Sequence, residues 1–245
     1  LQRGFGHFYG ILAGASSYLK PQGGRGLTLD NTNLPAPQSP YYTTDAFTDY
    51  AIRFIDEQTD DNPFFLYLAY NAPHWPLHAK DKDLEKFAGK YDKGWEAVRE
   101  ERYRKMVELG IVNPDWKLAE SRAWNELTEA ERDSSSLRMS VYAAQVYCMD
   151  YNIGKLIDYL EEEGKLDNTL ILFLSDNGAC AEPYSEKGFG STSEINKLDS
   201  WVHPSYGLPW AQVSNTPYRK YKVRAYEGGI ATPLIISWPE VLGKY

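Results

Sequence analysis

Apolar residues recur along this chain in two patterns, unbroken short runs and helical stripes. Residues 169–174 read Thr-Leu-Ile-Leu-Phe-Leu and stop on Ser175-Asp176-Asn177-Gly178. A run without polar alternation predicts a strand covered on both faces. Phe64–Tyr70 and Ile230–Trp238 have the same character and predict two further buried strands. Helical spacing marks Thr43–Gln58, where Phe47, Tyr50, Ala51, Phe54 and Ile55 share one face and Thr43 or Thr44 can cap the start. The clearest stripe lies in Ser134–Glu163, through Val141, Tyr142, Val146, Met149, Ile153, Leu156, Ile157 and Leu160. It reads as core packing, and Gly164 ends it.

The remaining segments are less periodic. Residues 1–42, rich in Gly, Pro, Tyr, Asn and Ser, read as loops and short elements. The charged stretch 80–133 predicts short surface helices at Asp83–Phe87, Trp95–Leu109 and Glu126–Asp133, its charges a solvated face. Residues 179–229 form a long irregular excursion, and loops of that length in compact domains are commonly functional or disordered. The order helix, strand, insertion, helix, strand, loop, strand predicts a three-layer α/β/α sandwich in one domain.

Composition adds limits. The 245 residues are 42% hydrophobic and 24% charged, ordinary for a globular domain. A net charge of −8 argues against a nucleic-acid partner. No apolar run has the length of a membrane span. Cys148 and Cys180 are too few for a disulfide framework and lack metal-ligand spacing, so the redox compartment stays open. Seven Trp and nineteen Tyr fit either an aromatic core or a carbohydrate site.

Three clusters can carry chemistry. Asp176 and Asn177, side by side at a strand's carboxyl end, offer a carboxylate and an amide oxygen that suit a hard divalent cation. The same Asp-Asn-Gly is also good turn chemistry. His74, in Asn71-Ala72-Pro73-His74-Trp75-Pro76, sits on a loop stiffened by two prolines, placed either for general acid or base work or for a structural turn. His78 reads as structural. Arg219, Lys220, Lys222 and Arg224 form a cationic run fit for a tetrahedral anion or for a solvated edge, and Gly228-Gly229 suits close backbone approach.

Together these segments resemble the type I sulfatases of the alkaline phosphatase-like superfamily. Arg3-Gly4-Phe5-Gly6-His7-Phe8-Tyr9-Gly10 is similar to an Arg-Gly-Phe-Asp-x-Phe-Tyr-Gly stretch of that family, with Gly6 at the Asp position. Pro63–Ala79 resembles its histidine loop, and Leu166–Gly178 its second metal-binding strand. Asn215–Pro239 resembles its Asn-x-Pro-x-Arg-x-x-Lys segment with the following Glu-Gly-Gly-Ile. Tyr91–Glu108 is similar to bacterial arylsulfatase-type members.

The resemblance implies an alkaline phosphatase-like fold and hydrolysis of a sulfate ester of a carbohydrate or aryl compound. It implies that Asp176 and Asn177 are ligands of a calcium ion, that His74 protonates the leaving oxygen, and that Lys222 contacts the sulfate. The family's nucleophile is a formylglycine made within a Cys/Ser-x-Pro-x-Arg motif, and no such motif occurs in these 245 residues. Residues 1–245 are therefore expected to be the middle of a catalytic domain, without its N-terminal portion and C-terminal subdomain, and inactive alone. Two alternatives stand beside this one. They are a phosphodiesterase or phosphonate monoester hydrolase of the same superfamily, and a truncated, non-catalytic anion- or glycan-binding protein. Periplasmic or secreted location is implied by the family alone.

Overall fold

The computed structural model describes residues 4–14, 16–59, 62–181, 191–197 and 204–243. Three short strands open the chain: β1 (Tyr9–Ile11), β2 (Leu27–Leu29) and β3 (Thr32–Asn33), an antiparallel sheet in that order. Helix α1 follows (Thr43–Asp56), then α2 (Asp81–Leu84), α3 (Gly94–Glu108) and the long α4 (Glu129–Glu162). Strand β4 (Ile171–Leu174) precedes α5 (Leu208–Ser214) and α6 (Glu227–Ile230), and β5 (Leu234–Ser237) and α7 (Pro239–Leu242) close the described chain. Helix and sheet together make this an α/β protein.

Helix α1 buries Phe47, Ala51 and Ile55 on the expected face. Its cap is not the expected one. Tyr42 holds the N-cap position without a side-chain bond, while the Thr43 hydroxyl donates to Asn71 Oδ1 at 3.1 Å. Helix α4 absorbs the separate short helix expected at Glu126–Asp133. Nothing in residues 129–134 breaks a helix, and a Thr128–Glu131 capping box starts it. Gly164, at φ 63°, ends it, and the amides of Lys165 and Leu166 both donate to Leu160 O.

The most deeply buried face of α4 runs through Val141, Ala144, Cys148 and Asn152, and Met149 is only half-buried. Small residues there let α1 come close, and a polar network fills the seam. Lys80 Nζ donates to both oxygens of Asp45, at 2.9 and 2.8 Å, and Asn152 Nδ2 donates to Asp45 Oδ1 at 2.8 Å. Burial, with Asp45 beside it, pushes the Cys148 thiol up to about 11, so this cysteine is an inert packing group.

The charged stretch 80–133 proves to be more than a solvated face. Trp95, Trp124 and Trp210 meet edge-on, with centroids 4.7, 5.9 and 6.1 Å apart, and draw α3 and α5 into one core with Leu127 and Met139. Gly94, at φ +83°, has no room for a Cβ because Trp124 lies against it. Side chains of α3 also tie down the strap 111–123. Tyr103 donates to the carbonyls of Pro114 and Trp116 at 2.9 and 2.7 Å, Trp95 to Arg122 O at 2.6 Å, and buried Arg99 to Ala119 O.

Strands β4 and β5 pair antiparallel, Leu172 facing Ile236 and Leu174 facing Leu234. They are not the buried strands expected. Leu172, Leu174, Leu234 and Ile235 are each more than half exposed, because a two-stranded ribbon has no cover among the described residues. Phe64–Tyr70 forms no paired strand, and its exposure alternates, with Phe65 and Tyr67 standing out at 78% and 75%.

The Asp45–Lys80 pair gives stability a defined pH window. Partial burial raises the Asp45 carboxyl, but the hydrogen bonds from Lys80 and Asn152 outweigh it and hold it below its ordinary value. Burial lowers Lys80, and its bond to Asp45 more than reverses that, leaving it raised. Asp45 therefore stabilises the fold above the ordinary carboxylate pKa, and this is lost as pH falls through the lowered value. The Lys80 contribution is complete below the ordinary lysine pKa and is lost as pH rises through the raised one. Urea midpoints between about pH 4 and pH 2 should fall less steeply for Asp45→Asn than for the wild type. Parallel curves would contradict this.

Candidate active site

Two loops meet where the chain leaves β4 and approaches β5, and the antiparallel register puts them side by side. Gly178 N donates to Gly229 O at 3.1 Å, and Lys222 N donates to Ala179 O at 3.0 Å. No side chain fits between them. A Cβ on Gly178 would run into Gly228 O, one on Gly228 into the carbonyls of Arg219 and Lys220, and one on Gly229 into Arg224 O.

Asn215, the C-cap of α5, ties this contact together. Its Oδ1 accepts from Ala179 N at 2.9 Å, and its Nδ2 donates to Lys220 O at 2.9 Å and Gly228 O at 2.7 Å. Lys220 and Val223, at φ 65° and 72°, take left-handed backbone on either side of Lys222. For a β-branched residue such as Val223 that conformation is costly and persists only where the surroundings impose it.

His74 is held from the other side. The hydroxyl of fully buried Tyr18 donates to the carbonyls of both Asn71 and His74, at 2.8 and 2.7 Å. His74 Nδ1 lies 2.8 Å from Trp75 O. A carbonyl only accepts, so Nδ1 carries a hydrogen and Nε2 is the nitrogen left for chemistry. Lys222 Nζ lies 3.4 Å from that Nε2. Lysine and histidine thus face each other as a half-buried pair that can pass a proton.

Of the residues read from sequence, His74 and Lys222 are in direct contact. Asp176 is exposed at the tip of β4, and Asn177 beside it donates Nδ2 to Gly178 O at 2.9 Å, leaving its oxygen as the acceptor. Both precede Gly178 and are joined to Lys222 through the two backbone bonds above. One carboxylate and one amide oxygen fit a hard cation by chemistry but make only part of a shell. Among the described residues no group of three or more His, Cys, Asp or Glu assembles that could hold a metal. Arg219, Lys220 and Arg224 are exposed. His78 is buried, its Nδ1 near Tyr18 N, and belongs to the core. Arg3 lies outside the described residues, as do Tyr184 and Trp201 of the excursion.

Sequence reasoning missed the hub role of Asn215 and the clamp at Tyr18. Asn215 opens an Asn-Thr-Pro turn, a visible cue. Tyr18 gives none.

Antiparallel strands with flanking helices, and a lysine–histidine pair at the loops, fit the alkaline phosphatase-like α/β fold, and comparison with known proteins bears the fold out. The sulfatase family model matches residues 2–244. An arylsulfatase of Klebsiella aerogenes is 32% identical over 98% of this chain and 55% of its own length. An uncharacterized sulfatase of Schizosaccharomyces pombe is 30% identical over 98% of this chain and 48% of its own. The crystal structure of Ps i-CgsB in complex with k-i-k-neocarrahexaose superposes with a TM-score of 0.59 at 27% identity, over 98% of this chain and 41% of that one. This chain belongs to the sulfatase family. It spans about half the length of these curated relatives.

Asn215→Ala would leave Ala179 N and the carbonyls of Lys220 and Gly228 without these partners. We expect a loss of about 2–4 kcal/mol in urea unfolding, together with a changed NMR titration of the His74 ring. An unchanged His74 titration would show that Lys222 is positioned some other way.

Proposed function

We propose that this chain is part of the catalytic domain of an enzyme that hydrolyses a sulfate ester, with a carbohydrate or aryl sulfate as substrate. The observation that carries this is the Lys222–His74 contact, built by two independent supports at the edge of the knot where the backbones of Gly178, Gly228 and Gly229 meet. The ester sulfate is an anion whose leaving oxygen gains charge as the S–O bond breaks. The Lys222 ammonium attracts the sulfate oxygens and stabilises that charge. His74, once protonated at Nε2, delivers the proton to the leaving oxygen, which departs as an alcohol. Trp75 O keeps the ring oriented during this transfer by holding Nδ1–H.

Asp176 and Asn177 would hold a calcium ion, which when bound supplies positive charge to the sulfate. The covalent nucleophile, by family resemblance a formylglycine, is not encoded among these residues. The relatives support the reading. One is named an arylsulfatase, and the Ps i-CgsB structure, at 27% identity, is titled in complex with k-i-k-neocarrahexaose. No described helix is long and apolar enough to cross a membrane, and export to the periplasm or medium belongs to the same proposal.

In the active enzyme, His74→Ala should lower turnover about 10²–10⁴-fold for sugar or alkyl sulfates and far less for nitrophenyl sulfate, whose leaving oxide hardly needs a proton. Equal losses across leaving groups would remove the acid role. Asp176→Ala should weaken calcium binding at least about tenfold by calorimetry. Unchanged affinity would take Asp176 out of the metal shell.

A further inference from the structure

Aromatic residues stand on both sides of Lys222 in the chain, Tyr226 exposed and Tyr218 half-buried, and the strap 111–123 adds another. Tyr218 precedes Lys222 by one short stretch of the loop and Tyr226 follows it by the same distance. Trp116, at the turn of the strap, stands against Tyr218 with centroids 6.0 Å apart and planes tilted by 44°. Trp116 is 46% exposed and Tyr226 is 44% exposed. The Arg219 guanidinium lies over the Tyr226 ring, 5.1 Å from its centroid.

Their backbones are fixed although the rings of Trp116 and Tyr226 are open. Trp116 N donates to Asn113 O at 3.1 Å, and Trp116 O accepts from Tyr103 at 2.7 Å. Tyr218 N donates to Asn215 O at 2.8 Å, and Gly229 N to Tyr226 O at 2.7 Å. Rigid aromatic faces with polar edges match the C–H faces of a pyranose ring, and they lose little conformational freedom on binding. A guanidinium beside them can fork a sulfate or carboxylate.

We propose that Trp116, Tyr218, Tyr226 and Arg219 form a subsite for a sugar ring adjoining the sulfated unit, with an anionic group of that ring taken by Arg219. The inference rests on the sulfatase reading of the Lys222–His74 site, and it makes the substrate a sulfated oligosaccharide in preference to a small aryl sulfate. The aromatic residues then determine specificity and take no part in bond breaking.

The test compares a sulfated hexasaccharide with nitrophenyl sulfate in the active enzyme. Trp116→Ala should raise KM for the hexasaccharide about tenfold with kcat unchanged, and leave nitrophenyl sulfate kinetics as they were. Trp116→Phe should restore most of the loss. Arg219→Gln should raise the hexasaccharide KM by an amount that shrinks as salt is added. Equal losses on both substrates would make Trp116 a mere support of the Lys222 loop, and no change on either would exclude it from binding; both overturn the proposal. If the wild type turns over neither substrate, the hydrolase reading fails by itself. Calorimetry with the same hexasaccharide then decides separately, since binding abolished by Trp116→Ala supports the subsite and no wild-type binding overturns it.

Discussion

Backbone packed directly on backbone at Gly178, Gly228 and Gly229 constrains everything around the site. Where two loops approach this closely, their amides and carbonyls lose water and need other partners. The Gly178–Gly229 and Lys222–Ala179 bonds satisfy some of them, and one side chain, Asn215, satisfies three more. The knot also settles where Lys222 can be. Its amide is bound to Ala179 O, and left-handed residues flank it, so its side chain leaves the loop toward His74. The antiparallel pairing of β4 with β5 is part of the same constraint, because it alone brings the exit of one strand beside the entrance of the other.

Asn215 can act as a hub because α5 is held so firmly. Trp210 lies in that short helix, fully buried, and donates its indole N–H to Ser135 on α4. Contact with Trp95 and Trp124 joins the same residue to α3 and to the segment that follows the strap. The position of Lys222 is thus handed down from an aromatic core through α5 and Asn215 to the loop. His74 is reached by a separate route, from Tyr18 at the start of the chain through the carbonyls of residues 71 and 74. Two supports far apart in sequence end on one contact of 3.4 Å, a geometry that a displacement of either would spoil.

Much of this was readable from the residues. Helix α1, the body of α4 and its stop at Gly164 follow from spacing, although the deepest face of α4 lies through Ala144, Cys148 and Asn152 and off the apolar stripe, and the loops around His74, Asp176 and Lys222 follow from motifs. What escaped has physical reasons. An unbroken apolar run such as 169–174 states that a strand needs cover on both faces, but the cover comes from elsewhere, and here the strand is exposed. The break expected before Ser134 was inferred from charge, and charge does not interrupt a helix. Thr43 looked like a cap, yet Asn71 offered its hydroxyl a better partner. Arg99 looked solvated in a charged helix, but a strap without regular structure needed donors for its carbonyls. Bonds of that kind, between a side chain and distant backbone, leave no periodic trace in a sequence.

Two kinds of apolar surface remain open, and their chemistry separates them. Leu172, Leu174, Leu234 and Ile236 present aliphatic groups on one face of a ribbon and Ile235 does so on the other, with no polar group among them to orient a small ligand. Surfaces of that composition are covered by more protein. Trp116, Tyr218 and Tyr226 differ at each point. Their rings carry polar edges, Tyr226 lies under the Arg219 guanidinium, and Tyr218, against which Trp116 stands, and Tyr226 flank in sequence the lysine that meets His74. A ligand that is apolar on its ring faces and anionic at its rim matches the second surface and not the first. Exposure alone would have grouped the two together. The neighbouring charges assign one to the fold and the other to the substrate.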